Sequence, residues 1–209
     1  MPRAWARNDR STELEQTTAQ QKAVPIAESK NMDHFTAELF RTLGVTSDTA
    51  TGISCQAREK PMTATVKSLV KRGAHINGKT LSGYTPIMVA VMNDDQSDVR
   101  LLLDLGANVN ATGPSDTTPL ILATESSNEA VMTILLNRGA NVNAHDQWGV
   151  TSLLYAVQKA NLGKVRLLLD HKAVPNYRNS FGHTALDEAN NAPSPHQDII
   201  DLLKAHGGK

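Results

Sequence analysis

Residues of the same type recur along this chain at a fixed interval of 33. The segment Gly83-Tyr84-Thr85-Pro86-Ile87-Met88-Val89-Ala90 returns three more times in related form. Three residue types keep the interval: Thr85, Thr118, Thr151 and Thr184; Ala90, Ala123, Ala156 and Ala189; Asn77, Asn110, Asn143 and Asn176. Such a period indicates a repeat architecture, in which each unit stacks on its neighbours and buries a shared core.

Each unit contains the signals for two helices. Thr85 can cap a helix whose first residue is Pro86, and Thr118-Pro119 repeats this arrangement. A second apolar stripe follows in each unit, and a glycine such as Gly106 comes after it, as expected where a helix ends in a left-handed turn. The unit is therefore predicted to be a pair of helices, with a turn at Gly83, Gly149 or Gly182 leading from one unit to the next.

The interval divides the chain. Three regular units are predicted at 80–112, 113–145 and 146–178, between a degraded N-terminal cap unit at 47–79 and a C-terminal cap unit at 179–209. In the first unit, Ala57 is the counterpart of Ala90 and marks its first helix. Residues 1–31 are rich in polar residues and are predicted to be a disordered tail.

Residues 32–46 are predicted to contain a short amphipathic capping helix. Asp33 can cap its start, Phe35, Leu39 and Leu43 lie on one face, and Gly44 can close its end. The apolar face is expected to cover the N-terminal end of the stack, and a partner-binding helix is the alternative.

Composition excludes several classes of function. The formal net charge is zero, so no basic excess favours nucleic acid, and no apolar run is long enough to cross a bilayer. Cys55 is the only cysteine, which excludes an intrachain disulfide. It could be a reactive thiol beside Arg58 and Lys60, although a buried apolar role is commoner. No phosphate loop, metal-ligand spacing or catalytic constellation is present, so no cofactor, no metal and no enzymatic activity are predicted.

These residues resemble the ankyrin repeat family over about 47–209. The resemblance rests on the 33-residue unit, the Thr-Pro helix start and the segment Gly-Ala-Asn-Val-Asn-Ala at 106–111 and 139–144. It implies an all-α solenoid of stacked helix-turn-helix units with protruding β-hairpin fingers and a concave groove that grips partner proteins. The family's usual histidine in the first helix is replaced by Met88, Ile121, Leu154 and Asp187, so packing is expected to hold the units together in place of a polar link.

Two positions depart from the glycines of the other units. Asp116 stands where the other fingers have glycine, and aspartate is among the residues that tolerate left-handed backbone. Lys172 replaces the glycine that ends the second helix. Both residues are predicted to adopt the conformation that glycine has elsewhere.

The resemblance implies a partner-binding surface made of finger tips and the exposed ends of the first helices. The predicted residues are Leu81, Ser82, Tyr84, Met92, Asn93, Ser115, Thr117, Glu125, Ser126, Gln147, Trp148, Val150, Gln158, Lys159, Ser180, Phe181 and His183. Tyr84, Trp148 and Phe181 in this set are candidate anchors, because exposed aromatics dominate binding hot spots and the finger tips are expected to have little else to pack against. Stacking of these rings on the neighbouring finger is the alternative. Trp148→Ala is expected to cost more than about 2 kcal/mol of binding with folding nearly unchanged.

The favoured function is a non-catalytic interaction module, an adaptor or inhibitor that binds another protein, is cytoplasmic and is monomeric by itself. The first alternative is a bacterial or viral effector delivered into another cell by residues 1–46. An enzyme that holds a small molecule in the groove is the second.

Overall fold

The computed structural model describes residues 32–49, 52–55, 63–126, 129–193 and 196–209. The predicted tail, 1–31, lies outside the described residues, as do Ala57, Arg58 and Lys60 and the side chain of Cys55. The elements in chain order are α1 His34–Thr42, β1 Val45–Thr49, β2 Gly52–Cys55, α2 Thr63–Lys71, α3 Pro86–Met92, α4 Gln96–Asp104, α5 Pro119–Glu125, α6 Glu129–Asn137, α7 Ser152–Gln158, α8 Leu162–Asp170, α9 Ala185–Asn191 and α10 Gln197–Ala205.

The helices form two parallel rows. The seven-residue inner helices α3, α5, α7 and α9 each pack on the next, and the nine-residue outer helices α4, α6, α8 and α10 do the same. Within each unit the inner helix packs on its outer partner. The predicted all-α solenoid is confirmed.

The core is built from the periodic positions. Leu102, Leu135 and Leu168 on the outer helices are fully buried, and the inner-helix alanines at the 33-residue interval are at most 4 % exposed. Alanine lets neighbouring inner helices approach closely, while the leucines fill the space between the two rows. The same local environment therefore recurs in every unit.

The inner helices begin at the periodic threonines. The side chains of Thr118, Thr151 and Thr184 accept hydrogen bonds from the backbone N–H groups three residues later. Thr184 and Asp187 form a reciprocal capping box, and the hydrogen bonds from Thr184 lower the pKa of Asp187. Thr85 occupies the predicted cap position before Pro86, but it lacks the side-chain cap: its hydroxyl is buried and has no hydrogen-bond partner among the described residues.

The periodic asparagines join each unit to the next. Asn110 donates from Nδ2 to the Gly139 carbonyl at 3.1 Å and accepts from the Asn141 N–H at 2.7 Å. Asn77, Asn143 and Asn176 make the same two bonds with the following unit. The expectation that packing alone holds the units together is therefore corrected, because these asparagine bridges supply a polar link at every junction.

The N-terminal unit differs from its predicted layout. Helix α1 packs on α2 and α3, which is how the inner helices of later units pack. Its cap, Asp33, lies 52 residues before Thr85, 19 more than one repeat. The 33-residue interval predicted that residues near Ala57 form the first helix of this unit. In the structure, Gly52–Cys55 is instead a strand that pairs antiparallel with Val45–Thr49. The two strands contain Val45, Thr46, Thr49 and Ile53, and these residue types favour strands.

Lys172 adopts a left-handed conformation, as predicted. Its φ is 69°, where the equivalent Gly106 and Gly139 have 93° and 83°. A lysine side chain makes this conformation costly, so Lys172→Gly is expected to raise the free energy of unfolding by up to about 1 kcal/mol. Chemical denaturation of the two proteins measures this change. A less stable variant would show that the lysine side chain contributes more than its backbone costs.

Candidate functional site

Four five-residue turns project between the helix pairs and are called fingers here: finger 1 (80–84), finger 2 (113–117), finger 3 (146–150) and finger 4 (179–183). In each, the N–H of the first residue donates to the carbonyl of the fifth, over 2.8 to 3.1 Å. Apart from the isolated bridge between His145 and Thr151, no strands pair at the described fingers. The predicted β-hairpins are thus reduced to tight turns.

A side-chain acceptor at the first position braces three of the fingers from inside. Asp146 Oδ1 accepts from the N–H groups of Trp148 and Val150, both at 2.9 Å, and Asp146 Oδ2 accepts from the Tyr155 hydroxyl at 2.8 Å. Asn179 Oδ1 binds finger 4 in the same way, and Thr80 Oγ1 accepts from the Tyr84 N–H in finger 1. These buried acceptors were not predicted, although polar residues recur at this position.

Finger 2 lacks such an acceptor because its first residue is Gly113. A Cβ there would lie 2.8 Å from Met88 Sδ, so a larger residue would displace the buried Met88 side chain of α3. The finger turns instead through Ser115 and Asp116, whose φ angles are 53° and 58°. The prediction of a left-handed Asp116 is confirmed, and Ser115 shares that conformation.

Backbone hydrogen bonds join neighbouring fingers. The Gln147 N–H donates to the Ser115 carbonyl at 2.9 Å, and the Ser180 N–H donates to the Trp148 carbonyl at 3.0 Å. The equivalent residue of finger 2 is Pro114, which has no N–H to donate. In finger 1 the equivalent Leu81 donates to the buried carboxylate of Asp48 in β1. Fingers 2, 3 and 4 therefore form a continuous row, whereas finger 1 is bound to strand β1.

Most of the predicted partner-binding residues are accessible. The exposed ones are Leu81, Met92, Ser115, Ser126, Gln147, Gln158, Lys159, Ser180 and Phe181; the half-buried ones are Tyr84, Asn93, Thr117, Glu125, Trp148 and His183. Asn93 donates from Nδ2 to the Leu43 carbonyl and so also fastens α1 to α3.

Two residues of that set are buried. Ser82 is 8 % exposed because its hydroxyl donates to Asp48 at 2.8 Å, and Val150 is 7 % exposed because it packs in the core. Their side chains serve the fold, and the expectation that they face a partner is corrected.

The three aromatic candidates differ in their surroundings. Tyr84 and Trp148 are half-buried and pack against the core, whereas Phe181 is 68 % exposed. The expectation that Trp148 has little to pack against is therefore wrong. Truncating Trp148 would remove core contacts as well as surface, whereas Phe181 is the most exposed of the three aromatic candidates.

Finger 4 holds Phe181 in a fixed place. Arg178 Nη1 donates to the Gly182 carbonyl at 2.5 Å, and Asn179 Oδ1 accepts from the N–H groups of Phe181 and His183, both at 3.0 Å. Nδ1 of His183 lies 3.2 Å from Oε1 of the buried Glu188 on α9. The phenylalanine thus projects from a turn that is braced on both sides.

A buried lysine lies behind the finger surface. Lys164 on α8 is 1 % exposed, and its ammonium group donates to the Thr124 carbonyl at the end of α5. Burial lowers the pKa of Lys164, and the nearby Glu129 carboxylate opposes this shift. The lysine ties two adjacent units together and is not accessible to a partner.

The lowered pKa gives Lys164 a pH-dependent effect on stability. Between the lowered value and the ordinary value of 10.5, the unfolded chain binds more protons than the folded chain, so the free energy of unfolding rises with pH. The wild type is therefore expected to gain stability relative to Lys164→Met as pH rises through the alkaline range. Thermal melts of both proteins, with the exposed Lys204→Met as control, measure the difference. A pH-independent difference would contradict the prediction.

The described residues offer no metal site, since no group of three histidine, cysteine, aspartate or glutamate side chains is placed to hold an ion. Helices long and apolar enough to cross a membrane are also missing from the described segments.

A family model described as ankyrin repeats (3 copies) matches residues 53–146 and 120–209. These overlapping matches cover most of the chain and all four fingers. The chain belongs to the ankyrin repeat family. Ankyrin repeats generally mediate protein–protein interaction, and the family is typically non-catalytic. A comparison with curated proteins finds no match to this ankyrin repeat protein.

Proposed function

We propose that this ankyrin repeat protein is a non-catalytic adaptor or inhibitor that binds one partner protein along its fingers and the exposed ends of its inner helices. The observation that carries the proposal is Phe181, which is 68 % exposed at the tip of a braced finger. Leu81 at finger 1 and Met92 at the end of α3 are also exposed, at 48 % and 38 %.

The braced fingers favour tight binding for a physical reason. Association is opposed by the entropy lost when mobile groups are ordered, and a surface that is already held in place loses less. Hydrogen bonds join fingers 2, 3 and 4, so their tips present a preformed edge. A partner of ordinary interface size would bury about 1,600 Å² in total.

Capture experiments with matched variants test this proposal. The finger variant carries Leu81→Ser and Phe181→Ser, and the control carries Lys67→Glu and Arg166→Glu at exposed sites on the outer helices α2 and α8. A protein retained by the wild type and the control, but lost from the finger variant, supports the proposed surface. Loss from the outer-helix variant alone would place the binding surface on the opposite side.

A further inference from the structure

The asparagine bridge at the first junction differs from the others in the residue that follows it. Asn110 and Asn143 are followed by alanine, and Asn176 by tyrosine, but Asn77 is followed by Gly78. This is the only Asn-Gly pair in the chain. Asn77 is exposed, and its bond to the Gly106 carbonyl is 3.4 Å long.

Packing of the N-terminal unit requires the glycine. A Cβ at Gly78 would lie 2.9 Å from Thr36 Cγ2 on α1 and 3.1 Å from the His75 carbonyl oxygen. Thr36 is held at this place because its hydroxyl accepts from the His75 N–H at 2.7 Å. The packing of α1 against this turn therefore explains why a glycine follows Asn77.

We propose that Asn77 is a site of spontaneous deamidation that weakens the junction between the first two units. The Gly78 backbone nitrogen, once a base in solvent has removed its proton, attacks Cγ of Asn77. A new C–N bond forms, the bond from Cγ to Nδ2 breaks, and ammonia leaves with a proton from solvent. Water then opens the five-membered succinimide at either carbonyl, giving aspartate or isoaspartate with no change in oxidation state.

Glycine speeds this reaction because it has no side chain to obstruct the attacking nitrogen. Alanine at the internal junctions carries a Cβ at the same place and slows the equivalent attack on Asn110 and Asn143. The three sites are matched in their bridges, since each asparagine makes the same two bonds to the next unit.

The folded junction controls when the reaction occurs. Asn77 Oδ1 accepts from the Asn108 N–H at 2.8 Å, and the Gly78 N–H donates to the His75 carbonyl at 2.9 Å. Both bonds must break before nitrogen and Cγ can meet. Terminal units open at lower free energy than internal ones, so Asn77 is released more often than its internal counterparts.

The aspartate product restores only half of the bridge, because its carboxylate can still accept from the Asn108 N–H but cannot donate to the Gly106 carbonyl. Aspartate at 77 has no Nδ2–H to donate, and its carboxylate would face the Gly106 carbonyl oxygen. Isoaspartate also adds a methylene group to the backbone. Either product removes an attractive contact between the units and replaces it with a repulsive one.

Peptide mapping of the full chain after incubation in mildly alkaline buffer tests the proposal, using fragmentation that distinguishes isoaspartate from aspartate. We expect Asn77 to convert at least about tenfold faster than Asn110 and Asn143, which serve as internal controls. Conversion should be faster still in urea, where the bridge is lost. Asn77→Asp should reproduce the lowered melting temperature of the aged protein.

Equal conversion at Asn77 and Asn110 would overturn the assignment of the site. A wild-type melting temperature in Asn77→Asp would overturn the proposed effect on the junction. If that variant does not fold, the mapping of the wild-type protein still decides the first point, and the melting temperature of the aged wild-type protein decides the second.

Discussion

Asp146→Ala is expected to destabilise the protein by about 3 kcal/mol or more, because three donors lose their acceptor at once. The Trp148 and Val150 N–H groups and the Tyr155 hydroxyl all donate to this carboxylate, which is 2 % exposed. Water cannot readily replace the carboxylate at so buried a place. Thermal denaturation should show the melting temperature lowered by roughly 6 to 12 °C.

Asp146→Asn is the matched control. The equivalent residue of finger 4 is already an asparagine, and Asn179 Oδ1 accepts from two backbone N–H groups in the same geometry. The Asp146→Asn variant should therefore keep the finger and lose less than about 1 kcal/mol. If asparagine were as damaging as alanine, the charge of Asp146 or its hydrogen bond from the Tyr155 hydroxyl would matter more than its two bonds from backbone N–H groups.

Phe181→Ala is expected to weaken binding to the captured partner by more than about 2 kcal/mol, or about thirtyfold in Kd. A large aromatic side chain at a braced finger tip can fill a pocket in the partner with little loss of conformational entropy. Because Phe181 is 68 % exposed, the free energy of unfolding should change by less than about 0.5 kcal/mol. Calorimetric titration and a denaturation curve measure the two quantities.

Val174→Ala provides the comparison for Phe181→Ala. Val174 is an exposed apolar residue, 48 % accessible, that lies outside the fingers. Its truncation should leave Kd unchanged. Wild-type affinity in Phe181→Ala, or an equal loss in Val174→Ala, would remove Phe181 from the binding surface.

The sequence predicts the regular units well because every unit repeats the same physical environment. Thr118, Thr151 and Thr184 cap inner helices, and the outer-helix leucines are buried. Helix caps and core positions assigned in one unit can therefore be transferred to the next unit. The asparagines at the same interval were recognised as part of the repeat, but their bridging role was not, because their partners lie in the following unit.

The N-terminal unit could not be placed in the same way. The 19 additional residues between its helix cap and Thr85 break the interval, and the interval carried the prediction. Local signals at Asp33, Leu39 and Gly44 did predict helix α1. They contained no information about the inner-row position that α1 takes beside α3.

Burial in the fingers was the least predictable property of the surface. Ser82 is covered because Asp48, 34 residues earlier, accepts its hydroxyl hydrogen bond, and no local pattern reveals this pairing. The bracing role of Asp146 and Asn179 could have been found, since both begin their fingers at the 33-residue interval.

Hydrogen–deuterium exchange of the full chain, alone and with its captured partner, tests the proposed surface most directly. The partner should protect backbone amides in fingers 1 to 4 and at the ends of α3, α5 and α7, and leave the outer helices α4, α6 and α8 unchanged. Protection confined to the outer helices, with unaltered exchange in the fingers, would contradict it.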